Sequence, residues 1–304
     1  MVNITEKSNT LRKAIAQAVV NVSKQETIDA INNGTVPKGN VFEMSKAAGL
    51  LGVKKTPDLL PDCHPLPIEY TAVSYRIEGL SIYVEMEVHT IYKTGVEVEA
   101  MHGVSVIALN MYDMLKPIDK GIEIGTIKLL NKRGGKTDFK DKFLDRKDLK
   151  AAVIVCSDTI SAGQKEDKAG KAIIAKLEKS GVEIGAYDII PDEKEAIQGK
   201  LNNYHADGFN MVIYTGGTGL SIRDVTPEAI EPLLDRRIPG IEEAIRNYGQ
   251  NRMPYAMLSR SVVGVKGSTL VMALPGSTNG ARESMEAVFP EVLHVFGVLK
   301  GERH

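Results

Sequence analysis

A charged segment near the middle of the 304-residue chain divides it into two unlike halves. Residues 136–150 are rich in Lys, Arg and Asp and show no apolar periodicity, whereas residues 151–156 form an abrupt apolar run that is typical of a buried strand. A chain of this length also suggests about two domains. We therefore predict an N-terminal domain over residues 1–140, a charged linker over 141–150 and a C-terminal domain over 151–304.

The pattern before the linker predicts an α+β domain. Two strands that could pair as a hairpin, with helices on one side, favour an antiparallel α+β sandwich, and the expected class is a ferredoxin-like antiparallel sheet. The predicted elements are a helix over 10–31, strands over 68–78 and 82–91, a helix over 96–116 and a strand over 122–130.

The pattern after the linker predicts a different architecture. Short β-branched runs alternate with helical ones, which indicates a three-layer α/β domain with a mostly parallel sheet covered on both faces. The predicted strands are 153–157, 182–190, 211–214 and 269–274, and the predicted helices are 168–179, 193–205 and two that follow residues 226 and 241.

Composition excludes several classes of protein. The formal net charge of -1 argues against a globally basic nucleic-acid binder. There is no run of eighteen apolar residues and residues 1–10 do not resemble a signal peptide, so we expect a cytoplasmic protein without a membrane partner. The two cysteines, Cys63 and Cys156, stand in unrelated contexts and are expected to be reduced.

The predicted helix over 96–116 carries charges at both ends. Asp113 and Lys116 are three positions apart, so their side chains can meet on one face. Such a pair in isolation is more often a surface ion pair. Glu97 and Glu99 are expected at the strand-to-helix turn, where they could equally be solvated charges at a helix N-terminus.

Three further segments favour an anion site. Lys38 precedes a glycine, Lys132 is followed by two glycines, and two prolines bracket residues 62–64 (Asp-Cys-His) and stiffen their backbone. Taken alone, His64 is more often a packing histidine, and Cys63 is more often a small buried apolar group. The combination of glycine-associated lysines predicts a polyphosphate pocket.

The N-terminal half resembles the MoaC-type cyclic pyranopterin monophosphate synthases of molybdenum cofactor biosynthesis. The resemblance is carried by five ordered motifs, KGNVF (38–42), PDCHPL (61–66), KTGVEVE (93–99), YDMLK (112–116) and LNKRGGK (130–136). It implies conversion of a 3',8-cyclised dihydro-GTP into cyclic pyranopterin monophosphate with release of pyrophosphate.

The same resemblance implies roles for individual residues, and it implies no certain cofactor for this half. Asp113 and Lys116 would be the acid/base pair, and a lowered Lys116 pKa would suit that role. The substrate-binding set would comprise Lys38, Lys54, Asp62, Cys63, His64, Glu97, Val98, Glu99 and Lys132.

The C-terminal half contains a glycine-rich turn at the end of a predicted parallel strand. Residues 216–219 (Gly-Gly-Thr-Gly) could present backbone N–H groups to a phosphate, although a plain tight turn is an equal alternative. The turn fits neither of the standard nucleotide-binding glycine motifs. Acidic residues elsewhere in this half favour Mg-nucleotide chemistry, namely Asp158, Asp167, Asp192 and Asp224.

This half resembles the MogA/MoaB family of molybdopterin-binding domains. The motifs that carry the resemblance are SD (157–158), DKAG (167–170), PDE (191–193), TGGTG (215–219), RDVTPEA (223–229), SR (259–260) and LPGS (274–277). It implies adenylylation of molybdopterin with Mg-ATP. Asp192 and Asp224 would be the catalytic or Mg-holding carboxylates, and the phosphate contacts would be Gly216, Gly217, Thr218 and Ser277.

The two resemblances together predict a bifunctional cofactor-biosynthesis enzyme whose ligands are the cyclised dihydro-GTP, molybdopterin and ATP. One alternative makes the C-terminal half a non-catalytic pterin-binding or oligomerising module, and a second makes the whole chain a nucleotide-binding regulator. The first family forms hexamers with sites at subunit contacts and the second forms trimers, so a homo-oligomer with three-fold symmetry, either trimer or hexamer, is expected.

Overall fold

A computed structural model describes residues 1–135 and 146–301 of the chain. The chain divides into two compact units, Met1–Asp138 and Phe139–His304. Of the predicted charged linker at 141–150, residues 141–145 lie outside the described residues. Within the described ranges, no helix is long and apolar enough to cross a membrane.

The N-terminal unit is a four-stranded antiparallel sheet with its helices packed on one face. The strands are β1 (Thr10–Asn21), β2 (Tyr70–Glu78), β3 (Ser81–Tyr92) and β4 (Glu123–Arg133), and their order in the sheet is β2-β3-β1-β4. The helices are α1 (Gln25–Asn32), α2 (Val41–Lys54), α3 (Thr56–Leu59) and α4 (Glu97–Leu115). The core therefore lies between the sheet and these helices, chiefly α4.

The predicted helix over 10–31 is wrong for residues 10–21, which form the central strand β1, and only the end of the predicted range is helical, in α1. Every second residue from Ala14 to Val20 is buried against the helices, so the apolar pattern has the period of a strand. The segment contains three alanines, and alanine has a high helix propensity, so the segment resembles a helix in sequence. Pairing with β3 on one side and β4 on the other overrides that propensity.

Two glycines allow α2 and α4 to approach closely. A Cβ atom at Gly49 would lie 2.4 Å from Cγ1 of Ile107, and one at Gly103 would lie 2.5 Å from Cγ2 of Val53. Both positions are buried at the contact between the two helices. This contact fixes the position of α4, which carries predicted site residues at both of its ends.

A buried aspartate ties the start of α1 to the segment after α4. Asp119 is 2% exposed, and its carboxylate accepts hydrogen bonds from Ser23 N at 2.8 Å, Thr27 Oγ1 at 2.9 Å and Gly121 N at 2.9 Å. Burial acts to raise the pKa of Asp119, but the hydrogen bonds outweigh burial and lower the pKa to about 2.

Replacing Asp119 with Asn is expected to lower the free energy of unfolding of the N-terminal unit by about 2 kcal/mol at pH 7, since one pKa unit corresponds to about 1.4 kcal/mol. The folded-state pKa of about 2 lies below the ordinary 3.8. The stabilisation is therefore complete above about pH 4 and is lost as the pH falls towards 2. The change in the free energy of unfolding can be measured by urea titration at each pH, with amide hydrogen exchange of β1 as the probe.

The matched control for this experiment is Asp29→Asn, which changes an exposed carboxylate on α1. It should alter the free energy of unfolding by less than about 0.5 kcal/mol. A difference between Asp119→Asn and the unsubstituted protein that stays constant from pH 7 to pH 2 would contradict the assignment.

The C-terminal unit is built on a six-stranded, mostly parallel sheet with helices on both faces. The strands are β5 (Lys150–Cys156), β6 (Glu183–Ile190), β7 (Met211–Thr215), β8 (Arg236–Arg237), β9 (Val262–Lys266) and β10 (Thr269–Leu274). Their order is β6-β5-β7-β10-β9-β8, in which the first four run parallel and the last two join antiparallel. The helices are α5 (Asp158–Ser161), α6 (Ala169–Lys179), α7 (Lys194–Ala206), α8 (Thr226–Ile230), α9 (Pro239–Gln250), α10 (Thr278–Val288) and α11 (Val295–Leu299).

The prediction of a mostly parallel sheet buried on both faces is confirmed. Val153 and Met272 belong to one apolar cluster, while their neighbours Ile154 and Val271 belong to the other. The antiparallel strands β8 and β9 and the helix α10 were not predicted. The carboxyl ends of β5, β7 and β10 meet at one edge of the sheet, which is where ligands bind in open α/β sheets.

Candidate functional site

Two lysines hold the carboxylate of Asp113 at the C-terminal end of α4. Lys38 Nζ lies 2.6 Å from Asp113 Oδ2, and Lys116 Nζ lies 2.7 Å from Oδ1. Lys38 also donates a hydrogen bond to the Asp113 main-chain carbonyl at 2.9 Å. It comes from the loop between α1 and α2, where Gly39 has a positive φ of 96°. These three residues are the Asp113 cluster.

The electrostatics of the Asp113 cluster differ from the expectation. Hydrogen bonds from Lys116 and Lys38 lower the pKa of Asp113 to about 2, and the hydrogen bond to Asp113 raises the pKa of Lys116. The lowered Lys116 pKa that would suit an acid/base role is therefore not present in the free protein. The lysine is exposed and paired with an opposite charge, and both conditions favour its protonated form.

A second group of predicted residues lines a cleft of about 600 Å³ at the other end of α4. Glu97 and Glu99 lie in the first turn of this helix, just beyond the strand-to-helix turn where they were predicted. Lys132 Nζ, from β4, pairs with Glu97 Oε1 at 3.1 Å. Lys132 itself does not line this cleft, which we call the Glu97 cleft. The predicted residues that line it are Asp62, Cys63, His64, Glu97, Val98 and Glu99.

The Glu97 cleft contains a buried carboxylate. Glu99 is only 3% exposed, and burial raises its pKa, with a further contribution from the charge of Glu97. Burial likewise raises the pKa of the Cys63 thiol, and Glu99 adds to that shift. Cys63 is therefore a poor nucleophile, and its place in the cleft wall fits a role in packing or substrate contact.

The structure does not bring the two N-terminal groups together within one chain. Glu97 and Asp113 are 16 positions apart on α4, and a rise of about 1.5 Å per residue separates the two ends by about 24 Å. Lys54, the last residue of α2, is exposed and does not line the Glu97 cleft. The single polyphosphate pocket expected from sequence is thus split between the two ends of one helix.

In the C-terminal unit, a glycine cradle forms where β7 ends. Gly216 and Gly217 have positive φ values of 98° and 61°. A Cβ atom at Gly216 would lie 2.1 Å from the Cys156 carbonyl oxygen, and one at Gly276 would lie 2.9 Å from the Gly216 Cα. Only glycine permits these conformations and this approach of two backbones. Ser277 caps α10 by accepting a hydrogen bond from Gly280 N at 3.1 Å.

The glycine cradle opens into an acidic cleft of about 490 Å³. Its lining includes Gly216, Gly217, Asp192 and Asp224, four of the predicted residues. Asp224 Oδ2 accepts a hydrogen bond from Ser221 N at 2.8 Å within the loop that follows the glycines. Asp192 follows β6, so separate strands deliver the two carboxylates to one cleft.

The carboxylate of Asp192 is only partly satisfied by hydrogen bonds. Its Oδ2 accepts from Asp158 N at 3.2 Å, whereas the buried Oδ1 has no hydrogen-bond partner among the described residues. Burial raises the pKa of Asp192, and the charges of Asp158 and Asp224 raise it further. Mg²⁺ is often bound by one or two carboxylates together with substrate phosphates, so this pair fits a Mg-nucleotide.

The two other acids singled out from sequence have different partners. Asp158 holds Arg223 through two hydrogen bonds of 3.0 Å each. Asp167 accepts from Gly170 N at 2.9 Å and from the Tyr187 hydroxyl at 2.7 Å, which fixes the start of α6. Across the described ranges, no group of three or more His, Cys, Asp or Glu side chains could hold a metal by itself.

A second cleft of about 780 Å³ adjoins the acidic one and shares the lining residues Gly276 and Thr278 with it. Thr218 and Ser277, predicted as phosphate contacts, line this second cleft. Its wall also contains groups that sequence reasoning missed, among them Arg246, Arg252, Tyr255 and Glu283. No motif marks these residues, since they come from α9, α10 and the segment between β8 and β9.

Known protein families match the N-terminal and C-terminal parts of the chain separately. A model of the MoaC family matches residues 1–135, and a model described as a probable molybdopterin binding domain matches residues 152–294. A molybdenum cofactor biosynthesis bifunctional protein of Chlorobaculum tepidum is 38% identical over 304 residues, covering all of this chain and 96% of its own. The corresponding protein of Synechococcus elongatus is 36% identical over 315 residues, covering 100% and 98%.

Shorter relatives match single halves. A cyclic pyranopterin monophosphate synthase of Roseiflexus sp. is 43% identical over 142 residues, covering 46% of this chain and 89% of its own. The solved structure of the molybdopterin biosynthesis enzyme MoaB from Thermus thermophilus is 40% identical, covers 50% of this chain and 97% of its own, and superposes with a TM-score of 0.48.

Proposed function

Because the chain belongs to the family of bifunctional molybdenum cofactor biosynthesis proteins, we propose that each unit catalyses one step. The N-terminal unit would convert (8S)-3',8-cyclo-7,8-dihydroguanosine 5'-triphosphate into cyclic pyranopterin monophosphate and pyrophosphate. The C-terminal unit would adenylylate molybdopterin with Mg-ATP. We also assign the N-terminal fold to the ferredoxin-like class, which the antiparallel strand order β4-β1-β3-β2 supports.

The observation that carries the N-terminal reaction is the carboxylate of Asp113 held between two ammonium groups. A triphosphate would compete with Asp113 for Lys38 and Lys116, and loss of these hydrogen bonds would raise the Asp113 pKa from about 2. Asp113 could then accept a proton at a carboxylate oxygen, and Lys116 Nζ could donate one. The lysines would also stabilise the charge of the departing pyrophosphate.

A complete site requires both ends of α4, and a second copy of the chain would supply the missing end. One side of this helix is exposed at Val98, Leu109 and Tyr112 and half-buried at Ser105, at helical spacing, and Leu109 is 61% exposed. Two copies packed antiparallel about Ser105 would place each Asp113 beside the partner's Glu97 end. Such a two-fold contact, repeated about a three-fold axis, is compatible with a hexamer.

Mixing two inactive variants tests the shared site. Hetero-oligomers of Asp113→Asn and Glu99→Gln subunits, isolated through two different tags, are expected to recover about one quarter of wild-type pyrophosphate release, since random pairing leaves that share of two-fold sites intact. Each variant alone should be inactive. If the isolated hetero-oligomers recover no activity, the whole site must lie within one subunit.

The observation that carries the C-terminal reaction is the unpartnered Asp192 Oδ1 beside the glycine cradle. Asp192 and Asp224 would hold Mg²⁺, which would neutralise the phosphates of ATP and polarise the bond that breaks. The N–H groups after β7 would bind those phosphates. Molybdopterin would occupy the second cleft, which Arg246 and Arg252 line, and one or both of these cations would bind its phosphate.

Product analysis on the intact chain tests both proposals. Incubation with the cyclised GTP should release pyrophosphate, and incubation with molybdopterin and Mg-ATP should yield adenylylated molybdopterin and pyrophosphate. Molybdopterin binding without adenylylation would instead favour the non-catalytic module. Absence of pyrophosphate from the first substrate would refute the synthase assignment and favour a nucleotide-binding regulator.

A further inference from the structure

Arg260 holds the loop between the two C-terminal clefts through hydrogen bonds to its main chain. The loop runs between β7 and α8, and Arg260 approaches it from the segment before β9. Arg260 Nε donates to the Gly219 carbonyl at 2.8 Å, and its Nη2 donates to the Asp224 carbonyl at 2.7 Å. Its Nη1 pairs with Glu228 in the first turn of α8. A single guanidinium thus holds both ends of residues 219–224.

The loop has little apolar anchoring of its own. Ile222 is 98% exposed and Leu220 is 70% exposed, so neither side chain packs against the unit. The polar contacts inside the loop are short-range: Ser221 N donates to Asp224 Oδ2 at 2.8 Å, and Asp224 N donates to the Ser221 carbonyl at 3.0 Å. These bonds shape the turn but do not attach it to the sheet, whereas Arg260 and the Arg223–Asp158 pair do.

The position of the loop determines what faces each cleft. Asp224 lines the acidic cleft, while Thr218 and Gly219, a few residues earlier, line the second cleft. Arg260 contacts the main chain at both places and lines neither cleft. Hydrogen bonds from a charged donor to two carbonyl groups are stronger than neutral ones, and a planar guanidinium holds both at a fixed separation.

We propose that Arg260 is a positioning residue that keeps residues 219–224 in place, so that Asp224 faces the nucleotide while Thr218 and Gly219 face the pterin. The expected fall in kcat on losing Arg260 rests on the proposed adenylyl transfer. The expected release of residues 219–224 does not depend on that reaction. Misplacement of about 1 Å can cost about 10²-fold in rate without loss of binding.

Two measurements on the full-length Arg260→Ala variant test the proposal. Amide hydrogen exchange over residues 219–225 should accelerate, and kcat for adenylyl transfer should fall by about 10–10²-fold with little change in the KM for ATP. Added guanidinium ion should restore part of kcat, which a general loss of structure would not allow. Arg260→Lys should recover little activity, because an ammonium cannot bridge two carbonyls in the same geometry.

The matched control is Glu228→Gln, which removes the ion pair with Arg260 but keeps both main-chain contacts. Its amide hydrogen exchange over residues 219–225 and its kcat should equal those of the unsubstituted protein. Glu228 is 55% exposed, and surface ion pairs contribute little to stability. Unchanged exchange of residues 219–225 in Arg260→Ala would overturn the proposal even if the unsubstituted protein forms no adenylylated product. Fast exchange with normal kcat would refute the positioning role and leave the adenylyltransferase assignment intact.

Discussion

Replacement of Asp113 with Asn is expected to reduce pyrophosphate release from the cyclised GTP by about 10²–10⁴-fold, the range typical of a lost general acid or base. Asn preserves the shape of the side chain but cannot accept a proton from the substrate. Lys116→Ala should cause a loss of similar size, because it removes both a proton donor and a charge that stabilises pyrophosphate. Steady-state assays of pyrophosphate release measure both effects.

The pH dependence of the unsubstituted enzyme offers a further check on the Asp113 cluster. The acid limb of kcat/KM reports groups of the free enzyme. Since the pKa of Asp113 is lowered to about 2 in the free protein, Asp113 should produce no acid limb above about pH 3. An acid limb near pH 4 that disappears in Asp113→Asn would contradict the observed pairing with Lys38 and Lys116.

A matched control separates chemistry from the loss of a surface ion pair. Asp58 forms an exposed pair with Lys55 at 2.9 Å, also three positions away, on α3. Asp58→Asn should therefore leave pyrophosphate release nearly unchanged. If Asp113→Asn retained full activity, or lost no more than Asp58→Asn, the acid/base assignment would be wrong.

The second large effect is expected at Asp192. Asp192→Asn should lower adenylylation of molybdopterin by at least about 10²-fold, because a neutral amide oxygen is a weaker ligand for a hard divalent cation than a carboxylate. The Mg²⁺ concentration needed for half-maximal rate should rise as well. Asp224→Asn should act in the same direction, and its amide oxygen can still accept the hydrogen bond from Ser221 N.

The readout for Asp192 and Asp224 is the rate of adenylylated product formation across a Mg²⁺ titration. Asp207→Asn, which changes an exposed aspartate at the end of α7, is the control and should follow the unsubstituted titration curve. Normal Mg²⁺ dependence in Asp192→Asn, together with a full rate, would exclude this carboxylate as a metal ligand.

Part of the fold was predictable because the apolar pattern reports the local environment. The continuous apolar run over 211–214 indicated a strand buried on both faces, and β7 is such a strand. The same reasoning failed at β1, because alanine fits either a helix or a crowded central strand. Only pairing with β3 and β4, at least 60 residues away, decides between them.

The sequence by itself determined the family and the contacts between near neighbours. Asp113 meets Lys116 because residues three apart share a helix face, and Gly216 and Gly217 adopt positive φ because they lack a Cβ. Such contacts depend only on residues a few positions apart, so a short sequence motif is enough to predict them.

Only the tertiary structure decided which distant groups meet. It brought Lys38 into contact with Asp113, 75 residues away, and put Thr218 and Ser277 in a different cleft from Asp192. Backbone geometry sets positions within one helical turn, whereas contacts between distant segments depend on how apolar faces pack together.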